Sequence, residues 1–220
     1  MKITILKLSL LLTILILSSC SGDDNNQITG SGNIISEERV LESFKKVISP
    51  SSIDISVVYG VAQNITVSAD DNIIDRISTI INNETLTIDL IQGNYNNINA
   101  NVVITIPIVT EVKNTGSGSI SCSDFIDLDN IAFVNSGSGS IVANGSSANM
   151  SLNNSGSGSF KGFGFMTENC TISSSGSGSC ELFSNTSLTG VLSGSGNILY
   201  KGSATVTIND TGSGNVINSN

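Results

Sequence analysis

The chain has 220 residues, with 18 acidic against 9 basic side chains, no His, no Trp and only 2 Pro. An acidic body repels the phosphates of nucleic acids and of anionic lipids, so this charge balance excludes nucleic-acid binding. Asn, Ser, Thr, Ile and Gly are abundant, whereas the Ala, Glu, Lys and Leu that build helical bundles are scarce. This composition predicts one mostly β domain.

The N-terminus has the pattern of an export signal. Basic residues precede the apolar run LSLLLTILIL, which is too short to span a bilayer. The stretch LSSC that ends at Cys20 resembles the lipobox of bacterial lipoproteins, in which the cysteine becomes the acylated first residue of the mature chain. We predict a signal peptide at 1–19, acylation of Cys20 and a polar tether at 20–27. The alternative is a signal peptide in which Cys20 is incidental.

The leader also predicts where the protein resides. Without residues 1–19 the chain keeps 7 basic and 18 acidic residues, a net charge of −11. Asp23 and Asp24 follow the lipobox and resemble the acidic signal that sends some lipoproteins to the cell surface. We expect a lipid anchor in the bacterial outer membrane, facing the periplasm or the cell surface. The expected partners are the membrane, through this anchor, and glycans or other cell-surface material.

Residues 28–113 predict a β-rich N-terminal half. The segments IDISVVYG, NITVSAD, ETLTIDLIQG and NVVITIPIV alternate apolar with polar residues between Gly, Asn or Asp, which is typical of strands. The segment DDNIIDRISTII instead places Ile73, Ile74, Ile77, Ile80 and Ile81 on one side of a helix, so it predicts a short helix. An early Gly-Ser-Gly triplet in ITGSGNII predicts a cap on the later repeat or a pairing with a distant coil.

Residues 114–220 repeat a Gly-Ser-Gly triplet at a nearly constant period. The separations between the first glycines are 21, 19, 20, 18 and 18 residues. Those first glycines are Gly116, Gly137, Gly156, Gly176, Gly194 and Gly212. A period of this size predicts a solenoid with about 18–21 residues per coil. A flexible Gly/Ser linker is the alternative, and it has no reason to keep side chains in register with the triplets.

Apolar columns in register with the triplets favour the solenoid. Four residues after the first glycine stand Ile120, Ile141, Phe160, Cys180, Ile198 and Val216. Six residues before it, from the second copy on, stand Ile131, Met150, Cys170, Leu188 and Val206. Four residues before it stand Val112, Phe133, Leu152, Ile172, Gly190 and Ile208. Since alternate side chains of a strand point to opposite faces, we predict that the triplets belong to ordered strands with these columns and the glycines inside.

Positions at an odd number of residues from the first glycine of a triplet carry small polar side chains. We predict that these side chains lie on the outer face and form a candidate binding surface. Coils stacked about 4.8 Å apart would align them into rows. Directly after the first glycine stand Ser117, Ser138, Ser157, Ser177, Ser195 and Ser213. Three residues after it stand Ser119, Ser140, Ser159, Ser179, Asn197 and Asn215. The alternative is that these side chains only keep the outer face soluble without repulsion along the stack. Inward glycines predict a thin coil or a close approach of two backbones.

The other residues that could carry chemistry favour structural roles. Cys122, Cys170 and Cys180 are odd in number, and we interpret them as small buried apolar residues, although export permits a disulfide. Metal binding would need His or closely paired Cys, so no metal or other cofactor is predicted. The stretch DFIDLD gathers three carboxylates at irregular spacing, which favours a solvated turn over a Ca²⁺ site.

The N-terminal strands, the predicted helix and the serial triplets together carry a family resemblance. FKKVISPSSIDISVVYG, ITVSADDNIIDRI, LTIDL and VVITIPIVTEVKNTGSGSI, followed by the coils, resemble the DUF2807 family, described as "putative auto-transporter adhesin, head GIN domain". The resemblance covers roughly Phe44 to the C-terminus. It implies a right-handed β-helix-like fold and an extracytoplasmic, often lipid-anchored location. Family coils commonly carry Asp directly after the second glycine, where this chain has Ser or Asn, so the resemblance gives this chain no acidic cation row.

Three classes of function are compatible with these patterns. A β-helix enzyme acting on polysaccharides needs carboxylates beside a basic group, but from Gly116 onward the only basic residues are Lys161 and Lys201. No serine has a plausible base, so nucleophilic catalysis has no candidate residue. An envelope sensor or scaffold partner is a further alternative. We favour a non-catalytic, lipid-anchored surface-binding or structural module.

Overall fold

A computed structural model describes residues 27–220, so the predicted leader, Cys20 and the tether as far as residue 26 lie outside the described residues. The N-terminal half forms ten strands. They are β1 (Gln27–Thr29), β2 (Ile34–Glu38), β3 (Lys46–Ser49), β4 (Asp54–Tyr59), β5 (Asn64–Asp70), β6 (Ile77–Asn82), β7 (Thr85–Leu90), β8 (Asn94–Asn96), β9 (Ala100–Ile106) and β10 (Glu111–Asn114).

The repeat forms seven strands, of which the first four are long. They are β11 (Ile120–Asn135), β12 (Ile141–Asn154), β13 (Phe160–Ser174), β14 (Cys180–Leu192), β15 (Ile198–Lys201), β16 (Thr205–Asp210) and β17 (Val216–Asn218). Successive coils pair in parallel and make a β-solenoid of about 5 turns, which confirms the predicted fold class. Each coil crosses two walls of the solenoid, and a triplet joins the end of one wall to the start of the next.

The strand register confirms the apolar columns. Ile141 pairs with Ile120 on one side and with Phe160 on the other, and the column continues through Cys180, Ile198 and Val216. Its first five members are fully buried, as is Phe133 in the column four residues before the first glycine. Gly190, the exception in that column, lies next to Ile172 with a φ of +147°. Strand alternation therefore sorts core from surface in these columns, but not at the register shifts, where Phe125 is buried and Ile126 is exposed.

The N-terminal half continues the same sheet. β3 pairs in parallel with β10 and β7, and β4 pairs in parallel with β11 and β9, so the stack runs without a break into the repeat. At the N-terminal end of the stack, each wall ends in antiparallel strands. One wall ends where β6 pairs with β7. The other ends where β5 pairs with β9 and β2 pairs with the far side of β5. The four predicted N-terminal strands correspond to β4, β5, β7 and β9.

The predicted helix is much shorter than its apolar spacing indicates. Only Ile74–Arg76 form a 3₁₀ turn, and the chain then enters β6. Ile73, Ile74 and Ile77 are buried as predicted, whereas Ile80 is 62% exposed because strand alternation replaces the helical period. Pairing of β6 with β7 outweighs the local helical pattern.

The early triplet near Gly30 is held by the N-terminal strands. Strand β1 pairs with β8, and the carboxylate of Asp70 accepts hydrogen bonds from the N–H of Gly32 at 2.8 Å and of Asn99 at 2.6 Å. The Asn99 N–H, followed by the Gly32 N–H, lowers the pKa of Asp70 below its ordinary value. This segment therefore pairs with another strand of the N-terminal half, 67 residues further along the chain, and not with a coil of the repeat.

Candidate functional site: a serine trough

The six triplets of the repeat lie in bends between strands, where the sequence predicts strands. The N–H groups of Ser136 and Gly137 both donate to the carbonyl of Asn114, at 2.9 and 3.3 Å. Those of Ser138 and Gly139 both donate to the carbonyl of Gly116, at 3.0 and 3.2 Å. Because two successive donors share one acceptor on the preceding coil, the backbone turns while its hydrogen bonds remain satisfied.

The glycines are required by the close approach of successive coils. A Cβ atom added to Gly139 would lie well inside 3.0 Å of the carbonyl oxygen of Gly118, and one on Gly158 would do the same at Gly139. The second glycine of each triplet is buried, and the first is half-buried in all of them except the last, where Gly212 is exposed. The sequence predicted either a thin coil or a close approach of two backbones at these glycines, and the structure shows the close approach.

The hydroxyls on either side of the first glycine line an open trough of about 670 Å³ that runs across four coils. These hydroxyl residues are exposed, and the half-buried glycines form the floor. We call this surface the serine trough; its lining is Thr115, Gly116, Ser117, Ser136, Gly137, Ser138, Ser155, Gly156, Ser157, Ser175, Gly176 and Ser177. Ser195 continues the row into the next coil, where its hydroxyl lies 3.3 Å from that of Ser177.

The row three residues after the first glycine lies outside the trough lining and bonds along the stack. The hydroxyl of Ser140 accepts the N–H of Ser159 at 3.2 Å, and that of Ser179 accepts the N–H of Asn197 at 3.2 Å. Asn197 in turn accepts the N–H of Asn215 at 2.9 Å. The structure therefore divides the predicted surface into a trough of exposed hydroxyls and a row whose hydroxyls and amides hydrogen-bond the backbone of the next coil.

The chemistry of the trough is that of neutral hydrogen bonding. Its lining consists of Thr, Ser and Gly alone, so it contains no titratable side chain to act as a general acid or base. Hydroxyls donate and accept, and rows of them can meet a hydroxylated or amide-rich surface without desolvating a charge. This arrangement supports binding, and it supplies no group for bond cleavage.

A buried polar column behind the trough was missed by the sequence analysis. Two residues before each first glycine, Asn114, Asn135 and Asn154 point inward, and Ser49 and Ser174 extend the column; all are at most 1% exposed. The Asn114 side-chain amide donates to the carbonyl of Gly118 at 2.7 Å, and that of Asn154 to the carbonyl of Gly178 at 2.9 Å. The sequence signal for this column was an Asn two residues before each of three consecutive triplets, because an even distance from the first glycine places a side chain on the inner face.

The three cysteines of the described chain are free and buried. Burial raises the pKa of Cys122 to about 12, of Cys170 to about 12 and of Cys180 to about 11. A thiol with so high a pKa carries almost no thiolate at neutral pH, so it is unreactive. The interpretation of these residues as small apolar core residues is confirmed.

The stacked parallel coils place the protein among the β-solenoids. The chain belongs to the DUF2807 family, described as "Putative auto-transporter adhesin, head GIN domain", whose model matches residues 43–204. That description names an adhesin and no enzymatic activity. No curated protein matches the chain. Within residues 27–220, the structure has no helix long and apolar enough to cross a membrane.

Solved structures with the same fold carry similar descriptions. A putative adhesin from Bacteroides fragilis superposes with a TM-score of 0.73 at 19% identity, over 87% of this chain and 99% of its own. A putative adhesin from Parabacteroides merdae gives 0.56 at 18%, over 89% and 100%. A putative lipid binding protein from Parabacteroides distasonis gives 0.56 at 21%, over 88% and 100%. At these identities the likeness establishes the fold.

Proposed function

We propose that this protein is a non-catalytic surface-binding module, anchored by a lipid on Cys20, whose serine trough contacts glycans or other cell-surface material. The observation that carries the proposal is the trough itself, a neutral, hydroxyl-lined surface repeated on successive coils. The family description and two neighbours described as adhesins support the same class. Because successive coils present the same hydroxyl, we expect no single serine to dominate the affinity.

Replacing Ser138, Ser157 and Ser177 together by Lys is expected to abolish attachment. The three positions are exposed and in the trough, so the charges disrupt a neutral contact surface while the core columns stay intact. Mutual repulsion costs about 1 kcal/mol or less per pair at high dielectric, which a folded solenoid tolerates. The measurement is attachment of cells displaying the full chain to glycan-coated surfaces, abiotic surfaces and sister cells.

A matched control places the same charges on another wall. Ser151, Thr171 and Thr189 are exposed and are register partners on three adjacent coils. Their triple Lys variant is expected to attach like the wild type. Normal attachment by a folded, displayed trough variant would remove the trough as the binding surface, and equal loss in both variants would assign the effect to charge alone.

The lipid anchor has its own test. Cys20→Ala is expected to abolish metabolic labelling with an alkyne fatty acid and to release the protein from membranes, because several acyl chains at about 0.8 kcal/mol per buried methylene provide stable anchoring. The buried cysteines Cys122, Cys170 and Cys180 serve as internal controls, since they remain in the variant. Unchanged labelling of the variant would refute the anchor.

A further inference from the structure

A second depression lies at the corner of the solenoid formed by the stretch DFIDLD. There the register between β11 and β12 shifts twice, between Cys122 and Phe125 and between Phe125 and Leu128. Asp124 and Asp127 adopt left-handed backbone conformations, with φ of 68° and 57°. The two shifts push this stretch outward from the regular wall, because extra residues in a strand bulge away from the partner.

The depression holds about 370 Å³, and we call it the acidic groove; its lining is Asp127, Leu128, Asp129, Ser146, Ser147, Ala148, Met166, Glu168 and Asn185. The second of its four coils contributes only small side chains, Ser146 to Ala148, between larger ones on both neighbouring coils. Met166 is 51% exposed and Ile126, beside the groove, is 65% exposed. Methionine adapts its shape to varied apolar partners, so it suits a docking surface.

The carboxylates of the groove have no cationic partner. Among residues 27–220 the ion pairs are Arg39–Glu37, Lys45–Glu84 and Lys46–Glu111, all in the N-terminal half of the chain. Asp127 accepts a hydrogen bond from Ser146 at 3.2 Å, and Glu168 accepts one from Thr186 at 2.9 Å. Neutral donors leave the negative charge uncompensated, and the lining contains no Lys or Arg. The groove therefore carries a negative potential beside apolar surface.

The spacing of these carboxylates does not suit a metal ion. Within the described part of the chain, no three His, Cys, Asp or Glu side chains lie close enough together to hold one. The lining residues belong to four successive coils, a span of roughly 14 Å at about 4.8 Å per coil. That span equals about four residues of an extended peptide. A ligand that fits must carry separate positive groups along its length and present apolar atoms to Met166.

We propose that the acidic groove docks a short extended segment of a partner protein in which Lys or Arg alternates with apolar residues. The cationic groups face Asp127, Asp129 and Glu168, and the apolar side chains cover Met166 and Leu128. Charge complementarity selects the partner and speeds its encounter, while burial of the methionine side chain slows its release. This surface is separate from the serine trough, since the two share no lining residue.

The test measures binding of a labelled eight-residue peptide of alternating Lys and Leu to the full chain by fluorescence anisotropy. Binding is expected to weaken as salt rises, and a matched Glu–Leu peptide is expected not to bind. The triple variant D127N/D129N/E168Q is expected to weaken binding about tenfold. Asn keeps the hydrogen-bond acceptor toward Ser146 and tolerates the left-handed φ at position 127.

Two controls make the outcome decisive. E38Q/E42Q/D75N removes the same charge from exposed carboxylates of the N-terminal half and is expected to leave the affinity unchanged. M166S is expected to weaken binding about threefold or more, which a purely electrostatic attraction to the acidic body would not show. Equal effects of both triple variants, no effect of M166S, or displacement of the peptide by millimolar Ca²⁺ would each overturn the proposal.

Discussion

Ile141→Asp is expected to prevent folding or to lower the free energy of unfolding by more than about 4 kcal/mol. Ile141 is 0% exposed and lies between Ile120 and Phe160 in the stack. A carboxylate there would lose its hydration and meet only apolar neighbours, because the column on both sides is hydrocarbon. The substitution disrupts the packing of three coils, since Ile141 contacts the coil before it and the coil after it.

Ser138→Asp is the matched control, three residues earlier in the chain and on the exposed side of the bend. Its cost is expected to be about 0.5 kcal/mol or less, because the carboxylate stays hydrated. Thermal unfolding followed by circular dichroism gives both values in the same buffer. Similar losses in Tm for the two variants would show that the assignment of inner and outer columns is wrong.

The sequence predicts the repeat part of the fold well because one rule operates in every coil. The period fixes which residues stack, and alternation along each strand fixes which of them face inward. Because the same period and the same alternation recur in every coil, an exception such as Gly190 does not disturb the columns around it. The same reasoning identified the trough in part, since the row directly after each first glycine lines it, whereas the predicted row three residues after that glycine lies outside the lining.

Other features depend on contacts that no local pattern contains. The segment before β6 has a helical apolar spacing, but pairing with β7 is a tertiary contact and outweighs it. The buried asparagine column shows the same dependence, because the amide of Asn114 stays inside by donating to the inward carbonyl of Gly118, whereas the amide of Asn135 in the same column is buried without a hydrogen-bond partner among the described residues. The acidic groove joins residues 127 to 185 across four coils, and the register shifts that open it are visible only in three dimensions.

Gly158→Ala is expected to lower the free energy of unfolding by about 3 kcal/mol or more. Its backbone is outside the left-handed region, so an alanine there meets no torsional penalty of its own. The penalty is steric, because the added Cβ atom would overlap the carbonyl oxygen of Gly139 on the preceding coil. Relief requires the coils to separate, which stretches the hydrogen bond from the Gly158 N–H to the Gly137 carbonyl, 3.1 Å in the native stack.

Two controls separate this steric penalty from the other effects of replacing glycine. Gly32→Ala introduces a Cβ atom with no other atom within 4 Å at a φ of +80°, so it should cost only about 1–2 kcal/mol of left-handed strain. Ser157→Ala changes an exposed neighbour in the same triplet and should leave the free energy of unfolding nearly unchanged. Chemical denaturation of the three variants gives the comparison. If Gly158→Ala were as mild as Ser157→Ala, the coils would be able to separate freely at the triplets, and close stacking could not be the reason that glycine occupies them.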